Sequence, residues 1–215
     1  MEPNKTDTAA YLAGSDCLVV PAYQRTYEWS DARWGDLWRD LSILHHRANA
    51  KIRDEGMDLE DPELIAPHHF MGTVILSLHR ILGGGRGNEY LVIDWQQRML
   101  TLFLLAAAIR DQEAFTEGRT IDRSDLLGVI PPQIPGDPSL ERVRAQEEDR
   151  AAFTSCMAGE FLSSVPDLHV RSPIAQCYMF FRYQLWRGVA AMDDYEVIAP
   201  PRPRRGRRCP ASRFV

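Results

Sequence analysis

The sequence predicts an α+β protein, and three features of its 215 residues predict that class. Two apolar, partly β-branched segments are joined by the glycine-rich stretch "GGGRGN", which is typical of a β-hairpin. The second segment leads into "MLTLFLLAAAI", which is apolar almost all round and is typical of a buried helix. Further helical patterns follow, so that strands come first and helices later.

The first predicted strand is "CLVVPAY", Cys17 to Tyr23. Because proline has no N–H for a strand ladder, Pro21 indicates that this strand lies at a sheet edge. A helix with Ser30 as its N-cap follows. Its apolar face is formed by Trp34, Leu37, Trp38, Leu41 and Leu44. The charged stretch 51–69, which contains one glycine and two prolines, predicts a loop with at most a short helix.

The hairpin is predicted from two strands, His69 to Ile81 and Glu89 to Asp94, with a turn over 83–88. The glycine-rich turn is not a P-loop, because a strand and not a helix follows it. A helix from Gln96 to Asp111 should then lie in the centre of the domain.

The C-terminal half is predicted to be helical. Residues 116–140 are rich in Pro, Gly and Asp and predict a long connection. The segment "LERVRAQEEDRAAFTSCMAGEFL" predicts one or two helices, and Ser172 followed by Pro173 predicts the start of another. The expected organisation is an N-terminal segment, a core, a connecting loop, a helical extension and a basic tail, at 1–14, 15–115, 116–140, 141–199 and 200–215.

The composition is that of an ordinary globular protein, with 45% hydrophobic and 26% charged residues. The longest apolar run, Met99 to Ile109, is shorter than the roughly 20 residues that a membrane-spanning helix needs. No signal-peptide pattern opens the sequence. These features predict a cytoplasmic protein with no membrane contact, and its four widely spaced cysteines predict free thiols.

Charge and metal-ligand spacing restrict the partners. Residues 200–215 carry six arginines and no acid, so that residues 1–199 sum to −11 in a chain whose net charge is −5. Such an acidic body would bind nucleic acid poorly without a local basic patch. The basic tail, expected to be disordered, is either a DNA-contacting arm or the frameshifted end of a truncated product.

No metal site is predicted from the histidines. Adjacent histidines such as His45 and His46 point in different directions, so they cannot easily bind one metal ion.

The polar cluster in "VIDWQQR" stands between the second hairpin strand and the central helix. Asp94 and Gln97 have the spacing of a capping box, in which each side chain would bind a backbone N–H of the other residue. That arrangement leaves Gln96 and Arg98 unexplained, because an arginine is disfavoured at the positive end of a helix. Either an anion such as phosphate completes the site, or Arg98 forms a buried salt bridge with an acid elsewhere.

A second polar cluster, "YQRTYEW", ends the first predicted strand. It is either an aromatic edge of the core with a solvated Arg25, or one wall of a ligand site. In the second case Arg25 would reach a phosphate, and Tyr23 or Trp29 would stack on a base.

Three segments occur in the order found in the N-terminal domain of GmrSD-type restriction endonucleases, and the chain resembles that family. They are "VPAYQRTYEWSDARWGDLWRDL", "HFMGTVIL" and "YLVIDWQQRMLTLFLLAAAI". The later segments "EEDRAAF" and "IAQCYMFFRYQL" resemble its helical half. The resemblance implies a ParB/sulfiredoxin-like fold, a small mixed sheet with packed helices, followed by a helical extension.

The resemblance also implies a function. Relatives hydrolyse nucleoside triphosphates, often GTP, and defend bacteria against phage by cutting modified DNA, in some cases with a C-terminal nuclease domain. This chain would then be a nucleotide-binding sensor domain that uses a nucleoside triphosphate, GTP favoured, with Mg²⁺. Its partners would be modified DNA and a nuclease domain or subunit that this sequence does not contain.

Carried over by position, the resemblance assigns catalytic roles to Asp94 and Gln97. The nucleotide-binding residues it implies are Tyr23, Gln24, Arg25, Gln96, Arg98 and Thr101. Phe70 and Gly72 match the family's strand motif and are expected to be structural.

Two departures from the family pattern bear on activity. Trp95 stands where the family has glycine, which permits positive φ and close approach of a ligand. Either Trp95 fills the ligand's space and leaves a non-enzymatic module that binds DNA or a partner, or it stacks on a base in a working pocket. In addition, Met99-Leu100-Thr101 stands where the family has Leu-Thr-Thr, so that one of two threonine hydroxyls is missing. This departure leaves triphosphate hydrolysis an open question.

Overall fold

A computed structural model describes residues 6, 8–12, 14–57, 70–81, 87–115, 142–159 and 171–196. The elements in chain order are α1 (Thr8–Leu12), β1 (Cys17–Val19), α2 (Asp31–Asp54), β2 (Ile75–Arg80), β3 (Glu89–Asp94), α3 (Gln96–Phe115), β4 (Val143–Arg144), α4 (Glu147–Ala158) and α5 (Pro173–Glu196). A small mixed sheet packed by helices confirms the predicted α+β class. The predicted connection 116–140 and the tail 200–215 lie outside the described residues.

The four strands lie in the order β2-β3-β1-β4. β1 pairs in parallel with both β3 and β4, whereas β2 runs antiparallel to β3. The prediction that the first strand lies at an edge is therefore wrong. Pro21 falls two residues beyond the end of β1, so that it removes no donor from the ladder.

The hairpin prediction is confirmed, with β3 at the predicted bounds and β2 shorter than predicted. The shortening has a local cause, because Gly72 adopts φ 107°, which is not a strand conformation. Residues 70–74 form no strand, and β2 begins at Ile75.

Helix α2 begins after Ser30, as predicted, with Ser30 in an extended conformation but without a side-chain capping bond. Of the predicted apolar face, Trp34, Leu37 and Leu41 are buried, and Trp38 and Leu44 pack against the core. The helix continues to Asp54, so the predicted loop is wrong over its first four residues. Residues 58–69 of the predicted loop lie outside the described residues.

Helix α3 is central, as predicted. Its buried apolar side chains are Met99, Leu100, Leu102, Phe103, Leu104, Leu105, Ala107 and Ala108. Helix α5 packs along it and begins as predicted, since the Ala175 N–H donates to Ser172 Oγ at 3.1 Å. None of the helices that the structure describes is both long enough and apolar enough to span a bilayer.

The segment from Leu140 onward was predicted to be helical, and this prediction is wrong at Val143–Arg144, which form β4. The strand extends the sheet beside β1, with Leu18 opposite Val143. Helix α4 starts three residues later. A strand of two residues has too few residues to show a period of two, so its pairing with β1 decides its conformation.

Candidate functional site

The candidate site lies at the edge of the sheet that is formed by the carboxyl ends of its three parallel strands, and not beside an edge strand. Because β1, β3 and β4 share one direction, their carboxyl ends meet at the same edge. The chain leaves β1 there as residues 20–30, which we name the bridging loop, while α3 and α4 begin just after β3 and β4. Parallel strands commonly bind ligands at such an edge, where connections depart in opposite directions.

Side chains at the end of β3 and the start of α3 hold the backbone of the bridging loop. Gln96 Nε2 donates to the carbonyl of Arg25 at 2.7 Å. Gln97 uses both atoms of its amide: Nε2 donates to the carbonyl of Thr26, and Oε1 accepts from the Glu28 N–H, each at 2.9 Å. The loop returns one bond, because Gln24 Nε2 donates to the carbonyl of Ile93 at 2.9 Å.

The start of α4 holds the same loop from the other side. Gln146 Nε2 donates to the carbonyl of Pro21 at 2.9 Å and also to that of Gln24. Asp149 Oδ2 accepts from the Tyr27 N–H at 2.7 Å. Burial raises the pKa of the Asp149 carboxyl above its ordinary value, against the opposing effect of the Tyr27 N–H.

The predicted capping box between Asp94 and Gln97 is wrong. Asp94 Oδ1 accepts from the N–H of the next residue, Trp95, at 2.7 Å. The Gln97 side chain does not reach back, because the bridging loop engages both of its amide atoms. A capping box requires only local contacts. Here the Gln97 amide instead bonds Thr26 and Glu28 of the bridging loop, which is distant in the chain.

Trp95 has a φ of 82°, the one positive value among the described non-glycine residues. The residue thus adopts the conformation that glycine would favour, at a cost of about 1–2 kcal/mol. Its indole Nε1 donates to the carbonyl of Met71 at 2.8 Å, and its ring packs in a T-shaped arrangement with the Tyr11 ring, with centroids 5.7 Å apart. These contacts hold the strained turn in place.

Arg98 lies half-buried on the first turn of α3. Its Nη1 donates to the carbonyl of Met71, and its guanidinium lies 5.8 Å from the centre of the Trp29 ring. Among the described residues no carboxylate lies within ion-pair distance of it. The predicted alternative of a buried salt bridge therefore finds no partner in this part of the chain.

Two buried polar atoms near this turn have no hydrogen-bond partner among the described residues: Gln96 Oε1 and the hydroxyl of Tyr11. Gln96 is only 5% exposed, so solvent hardly reaches its amide. An unsatisfied buried acceptor of this kind costs about 1–3 kcal/mol. A donor group from outside the described residues would remove this cost.

The remaining predicted site residues lie at different depths. Tyr23 and Arg25 are exposed on the bridging loop, with Arg25 Nη1 3.4 Å from the carboxylate of Glu28. Asp94 is exposed at the end of β3. Thr101 is fully buried, and its hydroxyl bonds the Tyr27 hydroxyl at 2.6 Å and the Gln97 carbonyl at 2.7 Å.

The two residues of the strand motif that were expected to be structural, Phe70 and Gly72, differ in their surroundings. The position of Gly72 supports a structural role, because a Cβ there would lie 2.9 Å from both Arg98 Nη1 and Trp95 Nε1. Phe70 is 78% exposed, so the described residues show no packing role for it.

Sequence reasoning missed three contributors: Gln146, Asp149 and the carbonyl of Met71. The signal for the first two is the polar cluster "AQEED", which lies within the segment predicted to be helical. Nothing in the sequence signalled Met71, because a main-chain carbonyl is common to all residues. No cluster of three or more potential metal ligands occurs within the described residues.

Comparison with known protein families places this chain. The family model of the GmrSD restriction endonuclease, N-terminal domain, matches residues 9–198. Because that match spans most of the chain, the protein belongs to this family, as the sequence motifs predicted. Comparison with individual curated proteins finds no significant match.

Proposed function

We propose that this restriction-system domain binds the phosphates of a nucleoside triphosphate at the start of α3 and acts as a nucleotide-dependent sensor. The single observation that carries the proposal is Arg98. A half-buried guanidinium at the positive end of a helix, with no described carboxylate beside it, favours a site that an external anion completes.

The backbone at the start of α3 supports the same proposal. The first N–H that bonds back into the helix is that of Met99, which donates to the Trp95 carbonyl at 3.0 Å. The N–H groups of Gln96, Gln97 and Arg98 precede it and have no carbonyl one turn earlier. Such groups form an anion site together with the helix dipole.

The residues present fit a nucleotide in part. The remaining donors of Arg98 and the first N–H groups of α3 would hold phosphate, and the exposed Asp94 would face its Mg²⁺. Tyr23 and Arg25, exposed on the bridging loop, would form the opposite wall. Hydrolysis by Asp94 and Gln97 stays a prediction, since the bridging loop already engages both amide atoms of Gln97.

Membership of the family supports a wider role. Within a restriction system, we propose that the domain couples nucleotide binding to recognition of modified DNA and to a nuclease domain or subunit. Residues 1–199 sum to −11, so contact with DNA would need a local basic surface.

A second candidate is a non-enzymatic module whose nucleotide site Trp95 has disabled. The observation that favours it is the shared acceptor: the indole of Trp95 and the guanidinium of Arg98 both donate to the Met71 carbonyl. The Met71 carbonyl therefore engages an N–H of Arg98 that would otherwise be available to a phosphate oxygen.

Thermal unfolding with GTP or ATP and Mg²⁺ separates the two candidates. Ligand at about 100 times its dissociation constant should stabilise the folded protein by about 2.7 kcal/mol. We expect this shift in the wild type and its loss in Arg98→Ala. The matched control is Arg53→Ala, because Arg53 is exposed at the end of α2 and pairs with Asp54.

The opposite pattern would contradict the proposal. A wild type without a shift, together with a shift in Trp95→Gly, would show that Trp95 closes the site and would establish the second candidate.

A further inference from the structure

We propose that Gln146 and Asp149, at the start of α4, are positioning residues that hold the bridging loop over the start of α3 in the geometry that nucleotide binding requires. The inference rests on the proposed function. It assigns a role to two residues outside the cluster that predicted the site, and these residues act through the loop without touching the nucleotide.

The two helices bind the loop backbone in alternation. The α4 side holds the carbonyls of Pro21 and Gln24, and the α3 side holds those of Arg25 and Thr26. The N–H of Tyr27 then bonds to α4, and that of Glu28 bonds to α3. Because the contacts interleave, neither helix fixes the loop by itself.

The exposed side chains of the loop stand between these anchored backbone groups. Tyr23 is 72% exposed, and the Arg25 side chain is 66% exposed. Neither side chain is held by packing, so their direction depends on the backbone beneath them. A loop that is correctly placed for only part of the time weakens apparent affinity in proportion to that fraction.

The acceptor of Asp149 matters more than its charge. Asp149 is 6% exposed and occupies the third position of α4, where a carboxylate is compatible with the helix dipole. What the loop uses is one oxygen, Oδ2, at 2.7 Å from the Tyr27 nitrogen. An asparagine presents a neutral oxygen at the same reach, so Asp149→Asn should keep the loop in place.

The Tyr27 side chain is held independently of Asp149. Its hydroxyl bonds Thr101, Cys177 and Trp34 inside the core. Removing the Asp149 carboxylate should therefore free the loop backbone while the Tyr27 ring stays buried. The expected result is a misplaced loop in a folded protein.

The test compares Asp149→Ala with Asp149→Asn and uses Glu148→Ala as the control, because Glu148 is the exposed acid next to Asp149. Titration calorimetry with GTP and Mg²⁺, well below the unfolding temperature, should show affinity falling about tenfold or more in Asp149→Ala. The asparagine variant and the control should stay within about threefold of the wild type. If Asp149→Ala does not fold, Gln146→Met removes the other α4 anchor and should give the same loss.

Hydrogen exchange followed by mass spectrometry decides the positioning without any nucleotide. Exchange over residues 20–30 should rise in Asp149→Ala and stay at the wild-type level in Asp149→Asn, with α5 unchanged in both. Unchanged loop exchange in Asp149→Ala, or an asparagine variant as impaired as alanine, would overturn the proposal. A wild type that binds no GTP would overturn the proposed function, and the exchange result would still judge the positioning.

Discussion

The starts of α3 and α4 occupy equivalent places in the fold and differ in charge. Each follows a strand parallel to β1, and each uses glutamine to bind the bridging loop. Helix α4 carries Glu147, Glu148 and Asp149 in its first turn, whereas α3 has no acid there and carries Arg98. The first turn of α4 thus carries negative charge at its positive end, whereas the nearest acid to α3, Asp94, precedes that helix and bonds the Trp95 N–H. An external anion is therefore favoured more at the start of α3 than at the start of α4.

The residues that precede the two helices also differ, in their backbone conformation. Gln146, before α4, has φ −59° and ψ 160°, which any residue adopts easily. Trp95, before α3, has φ 82°. Backbone strain of this kind concentrates at functional sites, where the surrounding structure holds it in place. The comparison favours the start of α3 over that of α4 as the place where the proposed nucleotide would bind.

The largest expected effect tests the two glutamines of α3. Gln97→Leu leaves the Thr26 carbonyl and the Glu28 N–H unsatisfied and should lower the free energy of unfolding by about 3 kcal/mol. Gln96→Leu leaves only the Arg25 carbonyl without its donor and removes an oxygen that already lacks a partner, so we expect a loss of about 1 kcal/mol or less. Urea unfolding measures both, and equal losses would refute the distinction.

The next effect tests the contact of residue 72 with the start of α3, which has no equivalent at the start of α4 within the described part of the chain. Gly72→Ala combines φ 107° with a Cβ 2.9 Å from Arg98 Nη1, and should destabilise the fold by about 2 kcal/mol. Gly35→Ala is the matched control, because Gly35 lies within α2 with open space around it. That substitution should stabilise by about 0.5–1 kcal/mol in the same chemical denaturation experiment. Two changes of the same sign would contradict the account.

Trp95 provides a test of the strained turn. Both Trp95→Ala and Trp95→Gly lose the indole contacts, but only glycine relieves the positive φ. We therefore expect the glycine variant to be more stable than the alanine variant by about 1 kcal/mol, the reverse of the usual order. Thermal unfolding of the pair measures this difference, and an alanine variant of equal or greater stability would show that the turn is not strained.

The smallest effect concerns the acids of α4. Glu147→Gln removes a charge at the positive end of α4 and its ion pair with Arg150, whose closest atoms are 2.7 Å apart. Because the Glu147 side chain is 81% exposed and that of Arg150 is partly exposed, we expect a loss of about 0.5 kcal/mol that shrinks in high salt. Glu55 lies at the C-terminal cap of α2, where the helix dipole disfavours a negative charge, so Glu55→Gln should be neutral or slightly stabilising. Unfolding at two salt concentrations checks both signs.

Much of the fold was predictable because its signals are local. The bounds of β3, the central place of α3 and the cap at Ser172 all follow from residues within a few positions of one another. The errors fall where partners decide the outcome: β1 lies inside the sheet because β4, more than 120 residues later in the chain, covers its other side. A two-residue strand such as Val143–Arg144 carries no periodic signal of its own.

The site divides in the same way. The sequence marked Gln96, Gln97 and Arg98 as polar residues that their helix does not need, and it drew attention to Trp95. It could not show that the two glutamines bind the bridging loop, because their partners lie 69 and 71 residues away. Nor could it show the part of Asp149, whose partner Tyr27 is 122 residues away.

The sequence by itself determined the family, the fold class and the presence of an arginine at the start of the central helix, because motifs, periodicity and charge are properties of neighbouring residues. Only the tertiary structure decided that the starts of α3 and α4 bind the same loop, that glutamines from both sides hold it, and that Trp95 adopts a glycine-like φ. Each of those outcomes depends on hydrogen bonds or packing between segments distant in the chain, and no local pattern encodes which distant group will be the partner.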